Sequence, residues 1–254
     1  MEYTAKQMMA VALARQVEDG KTYIVGTGLP LIGAALAKNI HAPNAHLIFE
    51  TALFEGSPRE VPTSVSDLRI NYQASVLWPQ YRYFGFQALA ARTNLISAGF
   101  LGGAQIDPYG NLNSTCIGAY GQPKTRFTGS GGANGIATYC DTIIIMKHQK
   151  RRFVEHVDYI TSPGWGDGPE GRQKDGLNPC KGPRAVITEL GILRFDETSR
   201  RMYLAEYYPG ITPEQIQENT GFQLDLSRAV QAEPPEAAVL EVLVNQVDPM
   251  RIMI

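Results

Sequence analysis

The run HLIFE, residues 46–50, is apolar and β-prone until it stops at a carboxylate, Glu50. A glutamate, with a reference pKa of about 4.3, is ionised at neutral pH. At the carboxyl end of a strand in an open α/β sheet, such an acid faces the crevice where these folds hold ligands. An acid at a strand end also commonly meets only water. Glu55 and Glu60 follow in loop-like sequence and compete for any catalytic role.

Two glycine-rich stretches have the composition to serve such an acid. In Gly26-Thr27-Gly28-Leu29-Pro30, glycines after a strand let a ligand approach the backbone, and the start of the following helix offers free N–H groups. The spacing is neither GxGxxG nor a P-loop, so a plain βα turn is an equal reading. In GSGGANG, residues 129–135, four glycines leave successive N–H groups unobstructed, as a nest for an oxyanion or phosphate requires. A flexible loop has the same composition. The basic cluster KHQKRR, residues 147–152, is either a solvated strand end or a face toward a phosphate group.

Other conspicuous residues carry no chemistry. Asp107-Pro108-Tyr109-Gly110 is a reverse turn with proline at its second position, and the aromatic run WPQYRYFGF, residues 78–86, suits a core or a subunit interface. His41, His46, His148 and His156 are scattered and read as structural. Cys116, Cys140 and Cys180 form no CxxC pair and have no histidine at ligand spacing, so neither a disulfide framework nor a metal site is indicated.

The elements that position these residues follow from periodicity and punctuation. Thr4 and Gln7 form a capping box for an N-terminal helix with an apolar stripe through Met8, Ala12, Leu13 and Val17, and Gly20 suits its left-handed cap. Thr22–Val25, a helix over Leu31–Asn39 and the strand His46–Glu50 make a βαβ unit. Short apolar runs at residues 75–77, 94–100 and 142–146, with a helix-compatible stretch at 87–92, extend the theme. The class expected is α/β, an open and mostly parallel sheet flanked by helices. Residues 162–183 are rich in glycine and proline and read as a long surface loop. Beyond it come strands at 184–188, 192–195 and 201–207, the last two forming a hairpin across DETSR, and a helix opened by Thr212-Pro213. Without a repeat or a linker, residues 1–254 read as one domain, with 184–254 as a C-terminal extension carrying that β-hairpin.

Composition excludes several classes of function. A chain of 254 residues with 44% hydrophobic and 19% charged residues buries a sizeable core and is not disordered. A net charge of −2 supplies no field to draw nucleic acid or an anionic membrane. The N-terminal stretch lacks the basic flank and apolar core of a signal peptide, and no segment has the length of a membrane span, which points to the cytoplasm.

The stretches VGTGLPLIGA, GGAQIDPYGNLNST, PKTRFTGSGGANGIATY, KRRF and DYITSPGW resemble the β subunits of the class I CoA-transferase family, over nearly the whole chain to TGFQLD near residue 220. The resemblance implies that Glu50 is the catalytic carboxylate. It would attack an acyl-CoA thioester to give an acyl-glutamyl anhydride, then a glutamyl-CoA thioester from which an incoming acid collects the CoA. It further implies that the glycine loop, with Gly131, Gly132 and Ala133 and helped by Gly26 and Gly28, stabilises oxyanions and binds CoA. Coenzyme A then enters as substrate, no permanent cofactor or metal is required, and a homologous α subunit completes a hetero-oligomer. The acid exchanged is a short, glutaconate-like dicarboxylate.

One departure from the family bears on the substrate pocket. Thr51-Ala52 stands where the family has Ser-Gly after the glutamate, adding a methyl group at each position beside the nucleophile. The same scaffold also hosts acyl-CoA decarboxylases and hydrolases, the decarboxylase with a cysteine at the glutamate position. Non-catalytic modules that bind CoA or sugar phosphates form a different class again.

Overall fold

The computed structural model describes residues 2–51, 53–56, 61–64, 67–79 and 94–254, so Ala52, Glu60 and the expected helix over 87–92 lie outside the described residues. The chain forms two compact units, Met1–Phe100 with Pro234–Ile254, and Leu101–Glu233.

In the first unit, helix α1 (Ala5–Ala14) opens on the expected capping box, with Thr4 and Gln7 exchanging side-chain and backbone bonds. The helix ends at Ala14 rather than at Gly20, because Gln16 and Val17 close tighter three-residue turns onto Leu13 and Ala14. Gly20, at φ +69°, instead turns the chain into strand β1 (Thr22–Val25). Helix α2 (Leu29–Ile40) begins at Gly28, whose φ of +85° is a glycine conformation, with Pro30 in its first turn. A methyl group on Gly33 would meet the Leu13 side chain at 2.4 Å, so α1 and α2 touch nearly backbone to backbone.

Strand β2 (His46–Phe49) runs parallel to β1 with Val25 opposite Phe49, and β5 (Ala98–Leu101) pairs on the other side of β1, also parallel. The short strands β3 (Leu53–Phe54) and β4 (Val76–Leu77) add antiparallel to β2. Tyr23, Ile24, Val25, Leu47, Ile48 and Phe49 are buried, as strands covered on both faces require. The C-terminal helix Ala237–Val242 and the π-turn Leu243–Val247 pack against α2 in the same unit.

The second unit holds two small ribbons, β6 (Gln105–Ile106) with β7 (Leu112–Asn113) and β8 (Cys116–Ile117) with β9 (Thr125–Arg126). Helix α3 (Ala133–Tyr139) leads into β10 (Asp141–Ile145), which pairs parallel with β11 (Pro183–Ile187). The expected hairpin is present as β12 (Gly191–Phe195) and β13 (Met202–Tyr207), antiparallel to each other and continuing from β11. The α/β class, with parallel strands at the heart and helices packed on them, matches the reading of the sequence.

The stretch 162–183 departs from the surface loop expected of it. It carries a single helical turn, α4 (Gly171–Lys174), and it buries Ser162, Trp165, Gly171 and Arg172. Its glycines permit close approach rather than freedom: a methyl on Gly164 would lie 2.3 Å from the Gly110 carbonyl carbon.

Candidate active site

Parallel register decides where Glu50 stands in the first unit. Because Val25 lies opposite Phe49, Gly26 and Glu50 leave β1 and β2 side by side at the same carboxyl edge. Glu50 is half-buried there and Thr51 follows it. The Thr51 hydroxyl oxygen is shielded from solvent and has no hydrogen-bond partner among the described residues, an arrangement that costs about 1–3 kcal/mol unless a ligand or water completes it. Among those residues nothing stands within 4 Å of a methyl built on Gly26, so the space beside that backbone is open.

The rival acid is engaged elsewhere. Glu55 pairs with His46 Nδ1 at 2.8 Å and with Lys38 Nζ at 3.5 Å, while that ammonium also donates to the Ala45 carbonyl at 2.6 Å. Its carboxylate is therefore part of a local ion cluster on α2 and β2.

In the second unit the glycine loop is tightly folded. Gly129 and Gly131 take φ of +89° and +49°, and Gly132 stands at the start of α3. Ser130 Oγ donates to the Gly131 carbonyl and accepts from the Asn134 N–H at 3.0 Å. The Ala133 N–H already donates to the Ser130 carbonyl at 3.0 Å, whereas the Gly131 N–H donates to nothing among the described residues. Of the anticipated donors, Ala133 is thus committed to the turn. Asn134 Nδ2 on the Thr161 carbonyl, and Ser114 Oγ on the Gly129 carbonyl, tie both flanks of the loop to the segment at Thr161 and to the link between β7 and β8.

Arg172 anchors the far end of α3, a role the sequence did not announce. Its guanidinium donates to the carbonyls of Ala137, Thr138, Gly164 and Asn178 at 2.9–3.1 Å, with Pro163 at 3.5 Å, and the residue is 1% exposed. Burial pulls its pKa down, opposed by the charges of Asp141 and Asp175. The carbonyls that α3 leaves unpaired at its end are thus capped by a cation. Within the sequence, Arg172 sits among Asp167, Glu170, Lys174 and Asp175 and reads as one more solvated charge. The only signal was an arginine inside a segment rich in glycine and proline.

The DPYG turn has a second task. Asp107 accepts from the N–H groups of Tyr109 and Asn111 and from Asn111 Nδ2, and burial raises its pKa against those bonds. Asn111 in turn bonds the Gly166 carbonyl and the Gly164 N–H, both at 2.8 Å, docking the 162–183 segment on the turn.

Among the described residues no cluster of His, Cys, Asp or Glu has the makings of a metal site, and all three cysteines are free thiols. No helix among them is long and apolar enough to cross a membrane.

Residues 6–219 match the family described as Coenzyme A transferase, to which the chain belongs. Coenzyme A is the substrate such enzymes share. The chain is 55% identical over 250 residues to the β subunit of glutaconate CoA-transferase of Acidaminococcus fermentans, covering 97% of this chain and 93% of the relative. It is 37% identical over 243 residues to the β subunit of 3-oxoadipate CoA-transferase of Pseudomonas knackmussii, covering 95% and 92%. The crystal structure of glutaconate coenzyme A-transferase from A. fermentans superposes with a TM-score of 0.96 at 53% identity, over 99% of this chain and 97% of that one.

Proposed function

We propose that the chain is the catalytic β subunit of a two-subunit CoA-transferase that moves CoA between an acyl-CoA and a short dicarboxylic acid of the glutaconate type. The observation that carries this reading is the 55% identity to a glutaconate CoA-transferase β subunit, joined to a glutamate at the carboxyl edge of β2 beside Gly26. A homologous α subunit would complete the pocket. Three free thiols accord with a reducing compartment, the cytoplasm.

In this reading a Glu50 carboxylate oxygen attacks the thioester carbonyl, and the tetrahedral oxyanion collapses to an acyl-glutamyl anhydride with departure of CoA thiolate. The thiolate then attacks the glutamyl carbonyl, releasing the donor acid and leaving Glu50 as a CoA thioester. The acceptor carboxylate attacks that thioester, freeing thiolate and forming a new anhydride. Attack of the thiolate on the new acyl carbonyl yields product and regenerates Glu50. Each step passes through an oxyanion, which backbone N–H groups of the Gly26–Gly28 turn beside Glu50 would stabilise. The Thr51 hydroxyl, which has no hydrogen-bond partner among the described residues, supports a direct contact with the substrate, and Thr51-Ala52 in place of Ser-Gly would narrow the acyl site.

The test is to trap the intermediate in the co-expressed pair. With acyl-CoA present, borohydride or hydroxylamine should modify Glu50, as mapped by mass spectrometry, and Glu50→Gln should abolish both the adduct and transfer. An adduct on another residue would overturn the assignment. Full-rate turnover by this chain alone would overturn the two-subunit reading.

A further inference from the structure

Beside the glycine loop, the second unit contains a cleft of about 680 Å³. Gly102 and Gly103, which follow β5, line one side, and Arg151 and Arg152 line another. Phe127 and Thr128, directly ahead of the glycine loop, form part of its wall. The volume lies within the range of sites that enclose a sizeable ligand.

The two arginines are brought together and held. Gln149 Oε1 accepts from Arg151 Nε at 3.1 Å and from Arg152 Nε at 3.3 Å, so the two guanidinium groups are gathered on one oxygen, and Arg152 Nη1 also reaches the Gly103 carbonyl at 3.3 Å. The turn that carries them is fixed on both sides by buried residues. His148 bonds Thr188 and Thr220 and stacks on Phe153 with ring centroids 4.0 Å apart, while the backbone of Arg152 and Phe153 closes onto Gln149. Such a turn gives the cations little freedom to lose on binding.

Charge makes the cleft an anion site. No acid occurs between Asp141 and Glu155, a stretch holding Lys147, Lys150, Arg151 and Arg152. Among the described residues neither arginine has a carboxylate partner. Asp158, which bonds the cleft residue Gln105, is taken up by that amide and by the Gly118 N–H at 2.8 Å. Paired guanidiniums over glycine backbone and threonine hydroxyls are the donor set that phosphate oxygens match best.

We infer that this cleft seats phosphate, and that its occupant is the phosphate-bearing nucleotide end of the acyl-CoA. The identity of the occupant rests on the proposed function; the affinity for phosphate rests on the cleft alone.

The test uses the two-subunit enzyme with Arg151→Gln, Arg152→Gln and the double variant. Removing each charge-assisted hydrogen bond should weaken phosphate binding about tenfold. The double variant should therefore raise KM for acyl-CoA by roughly a hundredfold with kcat preserved, and leave the same acyl thioester of pantetheine, which lacks the phosphates, unaffected. Binding of adenosine 3′,5′-bisphosphate, followed by calorimetry, should weaken in parallel, and this arm reads the cleft even if the Glu50 chemistry proves wrong. Equal losses on both thioesters would overturn the inference, as would a raised KM for the acid alone, which would make the cleft a carboxylate site. Unchanged nucleotide binding in a double variant that melts like the parent would also overturn it.

Discussion

Replacing Arg172 by methionine isolates the clamp behind the glycine loop. Methionine fills much of the buried volume but donates nothing, so the carbonyls of Ala137, Thr138 and Gly164, now bonded at 2.9–3.1 Å, lose this partner and cannot be removed by mutation, whereas the exposed Asn178 carbonyl keeps the Lys181 N–H at 3.3 Å. At about 2 kcal/mol for each of these three acceptors left unpaired, the gross loss is about 6 kcal/mol. Removing the cation recovers several kcal/mol of its desolvation cost, which leaves a net destabilisation of about 3–4 kcal/mol. In a chain of this size that corresponds to a fall in Tm of roughly 10 °C. Arg172→Lys should lie between the two, because one ammonium has three donors and cannot span carbonyls on both sides of the planar fork. Thermal melts followed by circular dichroism are sufficient to measure this. A drop below about 2 °C for Arg172→Met would mean that water serves those carbonyls as well, and the account of α3 as a clamped helix would fail.

Two further outcomes can be checked on the same protein. Burial pushes the pKa of His148 down from 6.5 to about 4. The unfolded chain therefore takes up this proton first, so the stability tied to neutral His148 is complete above about pH 6.5 and is lost progressively toward pH 4, up to about 3 kcal/mol. Urea titrations from pH 7 to 4 should show that slope, and His148→Gln should remove it; an identical slope in the variant would refute the assignment. Cys140 is buried, with its pKa pushed up to about 12, and Cys116 is buried too, whereas Cys180 is exposed. Iodoacetamide at pH 8 should accordingly label Cys180 alone in the native protein, as peptide mapping would reveal.

Much of the candidate site was legible in the sequence because its signals are local. HLIF followed by glutamate placed an acid at a strand end, GTGLP placed the glycine that opens α2, and the glycine loop was visible as composition. What escaped was whatever depends on distant partners. Gly20 reads as a helix cap, yet α1 stops at Ala14 because short-range turns and the docking of the Asp19 carboxylate on Asn44 set the path into β1. Ala133 reads as a free donor in a glycine loop, and its N–H is used by Ser130 within that loop.

Sequence by itself determined the α/β class and the family resemblance and put Glu50 at a strand end, since strand periodicity, capping boxes and motif spacing are properties of neighbours along the chain. Only the tertiary structure decided that Glu55 is held by Lys38 and His46, that Arg172 is buried against four carbonyls, and that Arg151 and Arg152 face a glycine-lined cleft. A charged side chain has the same identity in solvent and in the interior. Its role is set by which acceptors and counter-charges the fold brings within about 3 Å, and that information is non-local.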